Sequence, residues 1–149
     1  MVEITKEFTF DAAHMLEGHD GLCKNVHGHT YKLQVTLNGD LKKEVSSEGM
    51  IIDFKDLKNM VKEYVIELFD HSFIYNIENE KEKEIGSFLE SKGLKTCSIK
   101  GRSTCENLVG VIFHKLNINN ENISSIRLWE TPTSFSEYRN IKKTKNDKT

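Results

Sequence analysis

The sequence predicts an α+β domain in which a four-stranded antiparallel sheet carries helices on one face. Three observations lead there. Residues 2–14 and 27–37 alternate apolar and polar side chains with the two-residue period of a half-buried strand. Residues 54–68 and 105–116 instead place apolar side chains at helical spacing. Two shorter strand-like runs, residues 123–131 and 135–139, close the pattern, so the expected order is ββ-α-α-ββ.

In the first strand Val2, Ile4, Phe8, Phe10 and Ala12 share one face, and His14 continues their phase; Glu3, Thr5, Glu7, Thr9 and Asp11 take the other. A loop over residues 17–25 contains Gly18 and Gly21. The second strand aligns Tyr31, Leu33, Val35 and Leu37, with His27 and His29 extending that face backwards, and Asn38-Gly39-Asp40 ends it with turn chemistry. Asp53 suits a helix N-cap, and Phe54, Leu57, Val61, Tyr64, Val65 and Leu68 form the stripe that follows, ending near Phe69-Asp70-His71. Residues 76–100 show no clear period. Within them, residues 78–91 read as a charged helix anchored only by Ile85, Phe88 and Leu89. Ser103-Thr104-Cys105-Glu106 fits a capping box, opening a helix with Leu108, Val109, Ile112, Phe113 and Leu116 on its apolar stripe. Pro132 separates the last two strands. The domain is expected over residues 1–141, with residues 142–149 a disordered polar tail.

A chain of 149 residues is the size of one domain and can bury about 68–70% of its unfolded surface. Its hydrophobic fraction of 37% is low for a self-contained core, so copies of the same chain are one way to complete the sheet. The net charge of −2 comes from interspersed basic and acidic residues, which favours neither nucleic acid nor an anionic membrane as partner. No apolar run approaches the ~18 residues that span a bilayer. The first residues lack the basic-then-apolar pattern of a secretory leader. Three cysteines at this spacing suggest no disulfide framework, so a reducing, cytoplasmic location is expected.

Side chains two apart on a strand point the same way, so His27-Gly28-His29 can aim two imidazoles at one point. If the first two strands pair antiparallel, His14 lies close to that point. Three imidazoles leave one tetrahedral position free, the pattern of a catalytic zinc. Plain core histidines, or a structural metal site recruiting Cys23, are the competing readings, although no C-x-x-C pair exists. His19 and His114 lack such a context and read as surface or helix residues. Cys23, beside Lys24 and four residues before His27, is a candidate general base if a metal is near, and otherwise a small hydrophobe under a loop. Asp70-His71 is an acid–imidazole pair at a helix end, or simply an exposed one. Glu130 shares the phase of Ile126 and Leu128. A carboxylate continuing an apolar face needs partners, such as a flat heterocycle with two N–H donors, unless a bulge turns it to solvent.

Taken in order, Phe10-Asp11-Ala12-Ala13-His14, Cys23…His27-Gly28-His29, Gly49-Met50-Ile51-Ile52-Asp53-Phe54 with Asp56-Leu57-Lys58, Asp70-His71, Ser103-Thr104-Cys105-Glu106-Asn107-Leu108 and Trp129-Glu130-Thr131 resemble the 6-pyruvoyl- and 6-carboxy-tetrahydropterin synthase family. The likeness spans residues 8–138. It implies the tunnelling fold, with trimers around a barrel, two trimers stacked as a homohexamer, and active sites at subunit contacts. It implies Zn2+ held by His14, His27 and His29, Cys23 as proton acceptor, Asp70 and His71 as proton relay, and Glu130 as the acid that anchors the pterin and joins the relay. Thr104 and Glu106 match the stretch lining the pterin pocket. Three residues lie between Cys23 and His27, as in the bacterial 6-carboxy enzymes of queuosine biosynthesis. Asp53 and Glu17-Gly18-His19 also resemble that branch. The implied reaction converts 7,8-dihydroneopterin triphosphate to 6-carboxy-5,6,7,8-tetrahydropterin, acetaldehyde and triphosphate. A 6-pyruvoyl-tetrahydropterin synthase and a non-catalytic zinc-binding module are the alternatives. Lys24, Lys100 and Arg102 are candidates to meet the phosphates. Two departures stand out: the segment between His71 and Thr104 is long, and Ser103 replaces a common proline.

Overall fold

A computed structural model describes residues 1–120 and 122–141 of the chain; the expected polar tail, residues 142–149, lies outside the described residues. Strands β1 (Val2–His14) and β2 (His27–Gly39) pair antiparallel over their full length, in a register running from Val2 opposite Gly39 to His14 opposite His27. Strand β2 then pairs antiparallel with a late strand, Ile123–Thr131, and that strand with Ser134–Arg139. These four are the strands expected.

Two more strands enlarge the sheet. β3 (Ser72–Asn76) runs parallel to the other edge of β1, and β4 (Thr96–Ile99) runs parallel to β3. With the late strands as β5 and β6, the sheet is six-stranded and mixed, in the order β4-β3-β1-β2-β5-β6. This corrects the expectation of a four-stranded antiparallel sheet. The cause is physical: Ser72, Phe73, Ile74 and Tyr75 are all buried. A parallel strand covered on both faces shows no polar alternation to read.

Helix α1 (Phe54–Val61) starts where expected, with the Asp53 carboxylate accepting from the Lys55 N–H at 2.7 Å. It continues through a π-helical turn, Lys62–Ile66, into α2 (Glu67–Phe69). Leu57, Val61, Val65 and Phe69 are fully buried, at intervals of four. An ordinary α-helix, with 3.6 residues per turn, would rotate such a stripe away from the sheet; the wider π turn takes up the excess. Phe54 and Leu68, expected in the stripe, are exposed instead.

Helix α3 (Glu80–Ser91) is capped by Asn79, and α4 (Cys105–Asn117) by Thr104. Thr104, not Ser103, is therefore the cap, and Ser103 is buried. The two helices lie on opposite sides of the sheet. Helices α1, α2 and α4 cover the main core, where Phe10, Tyr31, Leu33, Val35, Leu37, Ile126 and Leu128 meet Leu108, Ile112 and Leu116. On the other face, Ile85 and Leu89 of α3 pack on Ala13, Met15, Phe73 and Tyr75. Helices on one face only was the wrong expectation, and Phe88, expected to anchor α3, is exposed. Among the described residues, no helix is long and apolar enough to cross a membrane.

Candidate metal centre and active site

Strand register brings the three histidines together. His14 ends β1 directly opposite His27, and His29 pairs with Ala12 on the same face. Their ring centroids stand 4.5 Å (His14–His27), 5.1 Å (His14–His29) and 5.0 Å (His27–His29) apart. Ligand-capable atoms of all three lie within 4.8 Å of one another.

Two of the rings are oriented by main-chain carbonyls. His14 Nδ1 lies 2.8 Å from the Ser103 carbonyl, and His27 Nδ1 lies 2.7 Å from that of Asn25. A carbonyl only accepts, so each Nδ1 carries the hydrogen and each Nε2 keeps its lone pair. Nε2 of His14 and of His29 is buried without a hydrogen-bond partner. Burial pulls the His14 pKa down to about 4, with His27 and His29 adding to the effect against the Ser103 bond. The His29 pKa is also lowered, by burial first, although Glu130 opposes it. Two partnerless Nε2 atoms and a third imidazole, converging within a few ångströms, fit a divalent metal of nitrogen-ligand preference.

Glu130 faces this cluster. Its Oε1 lies 3.8 Å from Nε2 of both His14 and His29. The β5–β6 register does shift between Trp129 and Thr131, but the irregularity leaves the carboxylate on the histidine side rather than in solvent. Tyr31 lies beneath, its ring 5.5 Å from that of His29 and its hydroxyl buried without a partner. Burial, and then the charge of Glu130, pushes the Tyr31 pKa up.

Cys23 sits half-buried in the 3-10 turn Leu22–Lys24, on the loop that joins the two histidine-bearing strands. Its carbonyl accepts from the Leu16 N–H at 2.9 Å, closing the loop on itself. Thr104 and the exposed Glu106 open α4, directly after the Ser103 carbonyl that orients His14. Arg102 is exposed, but its guanidinium is engaged, donating to the Glu17 carbonyl.

Asp70 and His71 are in contact, Oδ2 to Nδ1 at 3.0 Å, but the structure does not bring them to the histidines of the same chain. Asp70 Oδ1 accepts from the Asp11 N–H at 3.0 Å, and the His71 N–H donates to the Asp11 carbonyl at 2.6 Å. Asp11 has the opposite phase to His14 on β1, which puts its side chain across the sheet. There His71, with Asp70 bonded to it, lines an open cleft of about 600 Å³ together with Asp11, Gly28, His29, Thr30 and Lys95. The Asp11 amide holds the Asp70 carboxyl below the usual carboxylate range, aided by His71 and Lys95. His71 has φ of 58°, a left-handed conformation uncommon outside glycine that is found at functional sites.

The residues not foreseen are Ser103 and Asn25, which orient rings through their carbonyls, and Asp11, which holds the Asp70–His71 pair. Every residue but proline carries both a carbonyl and an N–H, so side-chain identity held no signal for them.

A sheet that gathers one buried and two half-buried imidazoles beside a carboxylate makes this an α+β protein with a candidate metal site. The family model for 6-pyruvoyl tetrahydropterin synthase matches residues 3–141. The 6-carboxy-5,6,7,8-tetrahydropterin synthase of Haemophilus influenzae is 51% identical over 140 residues, covering 93% of this chain and 99% of the relative. Its namesake in Rickettsia bellii is 36% identical, covering 92% and 99%. Among solved structures, Caenorhabditis elegans 6-pyruvoyl tetrahydropterin synthase superposes with a TM-score of 0.69 at 25% identity, covering 93% of this chain and 95% of that one. The chain belongs to the 6-pyruvoyl tetrahydropterin synthase family of enzymes.

Proposed function

We propose that this protein is a zinc-dependent carbon–carbon lyase that converts 7,8-dihydroneopterin triphosphate to 6-carboxy-5,6,7,8-tetrahydropterin, acetaldehyde and triphosphate. It would serve queuosine biosynthesis in the cytoplasm, with residues 1–141 acting as one tetrahydropterin synthase domain. The observation that carries this reading is the pair of buried, partnerless Nε2 atoms facing Glu130, in a chain that shares half its residues with a 6-carboxy enzyme.

His14, His27 and His29 would hold the metal, with His14 and His27 kept in the right tautomer by Ser103 and Asn25. A bound zinc ion supplies Lewis-acid polarisation of the side-chain hydroxyls of the substrate. Glu130 approaches two of the three histidines. From there it accepts hydrogen bonds from the N–H edge of the pterin ring and sets its orientation. Cys23 takes the proton from the carbon beside the ring as general base. His71, oriented by the Asp70 carboxylate, shuttles protons, and Thr104 and Glu106 line the pterin pocket. Asp70 and His71 lie across the sheet from the metal site, so they would serve the site of a neighbouring copy. That arrangement supports active sites shared between copies, and the family resemblance implies that the copies form a homohexamer of two stacked trimers.

Incubation of the zinc-loaded protein with 7,8-dihydroneopterin triphosphate, followed by mass analysis of the pterin and assay of acetaldehyde, tests the proposal. The expected product is the carboxy pterin with stoichiometric acetaldehyde. A pyruvoyl product without acetaldehyde would assign the other branch of the family. No turnover, with Glu130 as a fourth metal ligand, would make the chain a zinc-binding module.

A further inference from the structure

Among the described residues, Glu82 is the only fully buried acidic or basic side chain other than histidine, and it lies outside the histidine cluster. It stands on the first turn of α3, in the segment whose sequence resists reading. Oε2 accepts from the Asn76 N–H at 2.7 Å, and Oε1 accepts from the Glu17 N–H at 3.2 Å. A buried carboxylate is strongly disfavoured unless such donors are supplied. The second donor is the informative one, because Glu17 begins the loop that carries Cys23.

Glu17 is gripped from three sides. Glu82 takes its amide, the Arg102 guanidinium donates to its carbonyl, and Lys81 Nζ lies 3.0 Å from its carboxylate. The neighbouring Leu16 N–H bonds the Cys23 carbonyl, so the place of Glu17 is passed on to Cys23. The turn that bears Arg102 is itself tied down. Asn107 Nδ2 donates to the Arg102 carbonyl at 2.8 Å, and the Gly101 N–H donates to Asn76 Oδ1 at 3.1 Å.

We propose that Glu82 is a positioning residue that holds the Cys23 loop against the histidine cluster. The proposal rests on the reading of Cys23 as general base. Catalytic groups work only within about 0.5 Å of productive geometry, and loops with few anchors open locally.

Glu82→Gln tests it. The variant keeps the shape but turns an amide NH2 toward one of the two N–H donors, so one bond is lost. Metal content should be unchanged, and kcat should fall about ten- to a hundred-fold with KM within about twofold. Amide hydrogen exchange across residues 16–25 should rise about tenfold, by loss of local protection. Wild-type exchange and kcat in the folded variant would overturn the proposal, as would faster exchange with kcat unchanged. Should Glu82→Gln not fold, Arg102→Met removes the exposed donor to the Glu17 carbonyl, the other main-chain anchor of the residue that Glu82 holds; wild-type loop exchange there overturns the proposal too. Absence of turnover in the wild-type protein would instead reject the base assignment, while the exchange ratio still measures the clamp.

Discussion

The protonation of His14 is decided chiefly by burial and by the Ser103 carbonyl, which pull in opposite directions. Burial favours the neutral ring, whereas the Ser103 carbonyl favours a proton on Nδ1, which the neutral tautomer already provides. Burial is the larger effect. In the metal-free protein the folded pKa, about 4, lies below the 6.5 of the unfolded chain. Between these values the unfolded state binds more protons, so stability falls as pH drops from about 6.5 to 4, by roughly 3 kcal/mol, and is level above and below. Melting of the chelated protein across that range should show the decline; a flat profile would place His14 in contact with water. The site residues make separable predictions. Cys23→Ala should retain its zinc yet lose turnover by about 10²–10⁴-fold. His27→Ala should lose both, and elemental analysis beside product assay distinguishes the two. Near-normal turnover of Cys23→Ala would reject it as base, and a fully metallated, active His27→Ala would reject the site.

At the scale of elements, packing between α3 and the sheet explains a glycine that helix propensity alone would replace. Gly86 lies mid-helix, where alanine is normally better by about 1 kcal/mol. A Cβ there would stand 2.5 Å from the ring of Tyr75, which is buried, stacked on Phe73 and bonded to Glu90. Gly86→Ala should therefore destabilise the protein, by roughly 1–3 kcal/mol, despite its better propensity. Thermal melting reads the sign directly, and an unchanged or higher melting temperature would mean the helix can slide. The same packing shows why residues 76–100 resist reading. Helix α3 buries Glu82 and Gly86 but exposes Phe88, so its hydrophobic pattern misreports its buried face. By contrast β1, β2 and α4 bury the face their period announces.

Over the whole molecule, the sheet separates the two halves of the proposed chemistry. The histidines, Glu130 and the Cys23 loop belong to one face or end of the β1–β2 hairpin. His71, held by Asp70, belongs to the cleft on the other side. If one site draws on two copies, Cys23→Ala and His71→Ala should each be inactive alone but recover activity when dissociated and reassembled together. No recovery in a verified mixed oligomer would confine the site to a single chain. Light scattering on the wild-type protein should give about six chains per particle, in line with the preference of oligomers for closed symmetry.

The order of the antiparallel strands, the start of α1 and the meeting of His14, His27 and His29 could all be read from the sequence. Each rests on a local period, and strand parity alone aims the three rings to one side. The phase of Glu130 was legible for the same reason. The parallel strands β3 and β4, the placement of α3 on the second face, and the carbonyls that orient the rings were decided only by tertiary structure. Strand β3, buried on both faces, has no alternation, and β4 is a four-residue edge strand too short to show one; a helix face is defined by what covers it, and a main-chain acceptor looks alike at every residue. Glu82 shows the limit most clearly. As a sequence symbol it is one more charge in an acidic helix, and only the fold places the Glu17 and Asn76 amides against it.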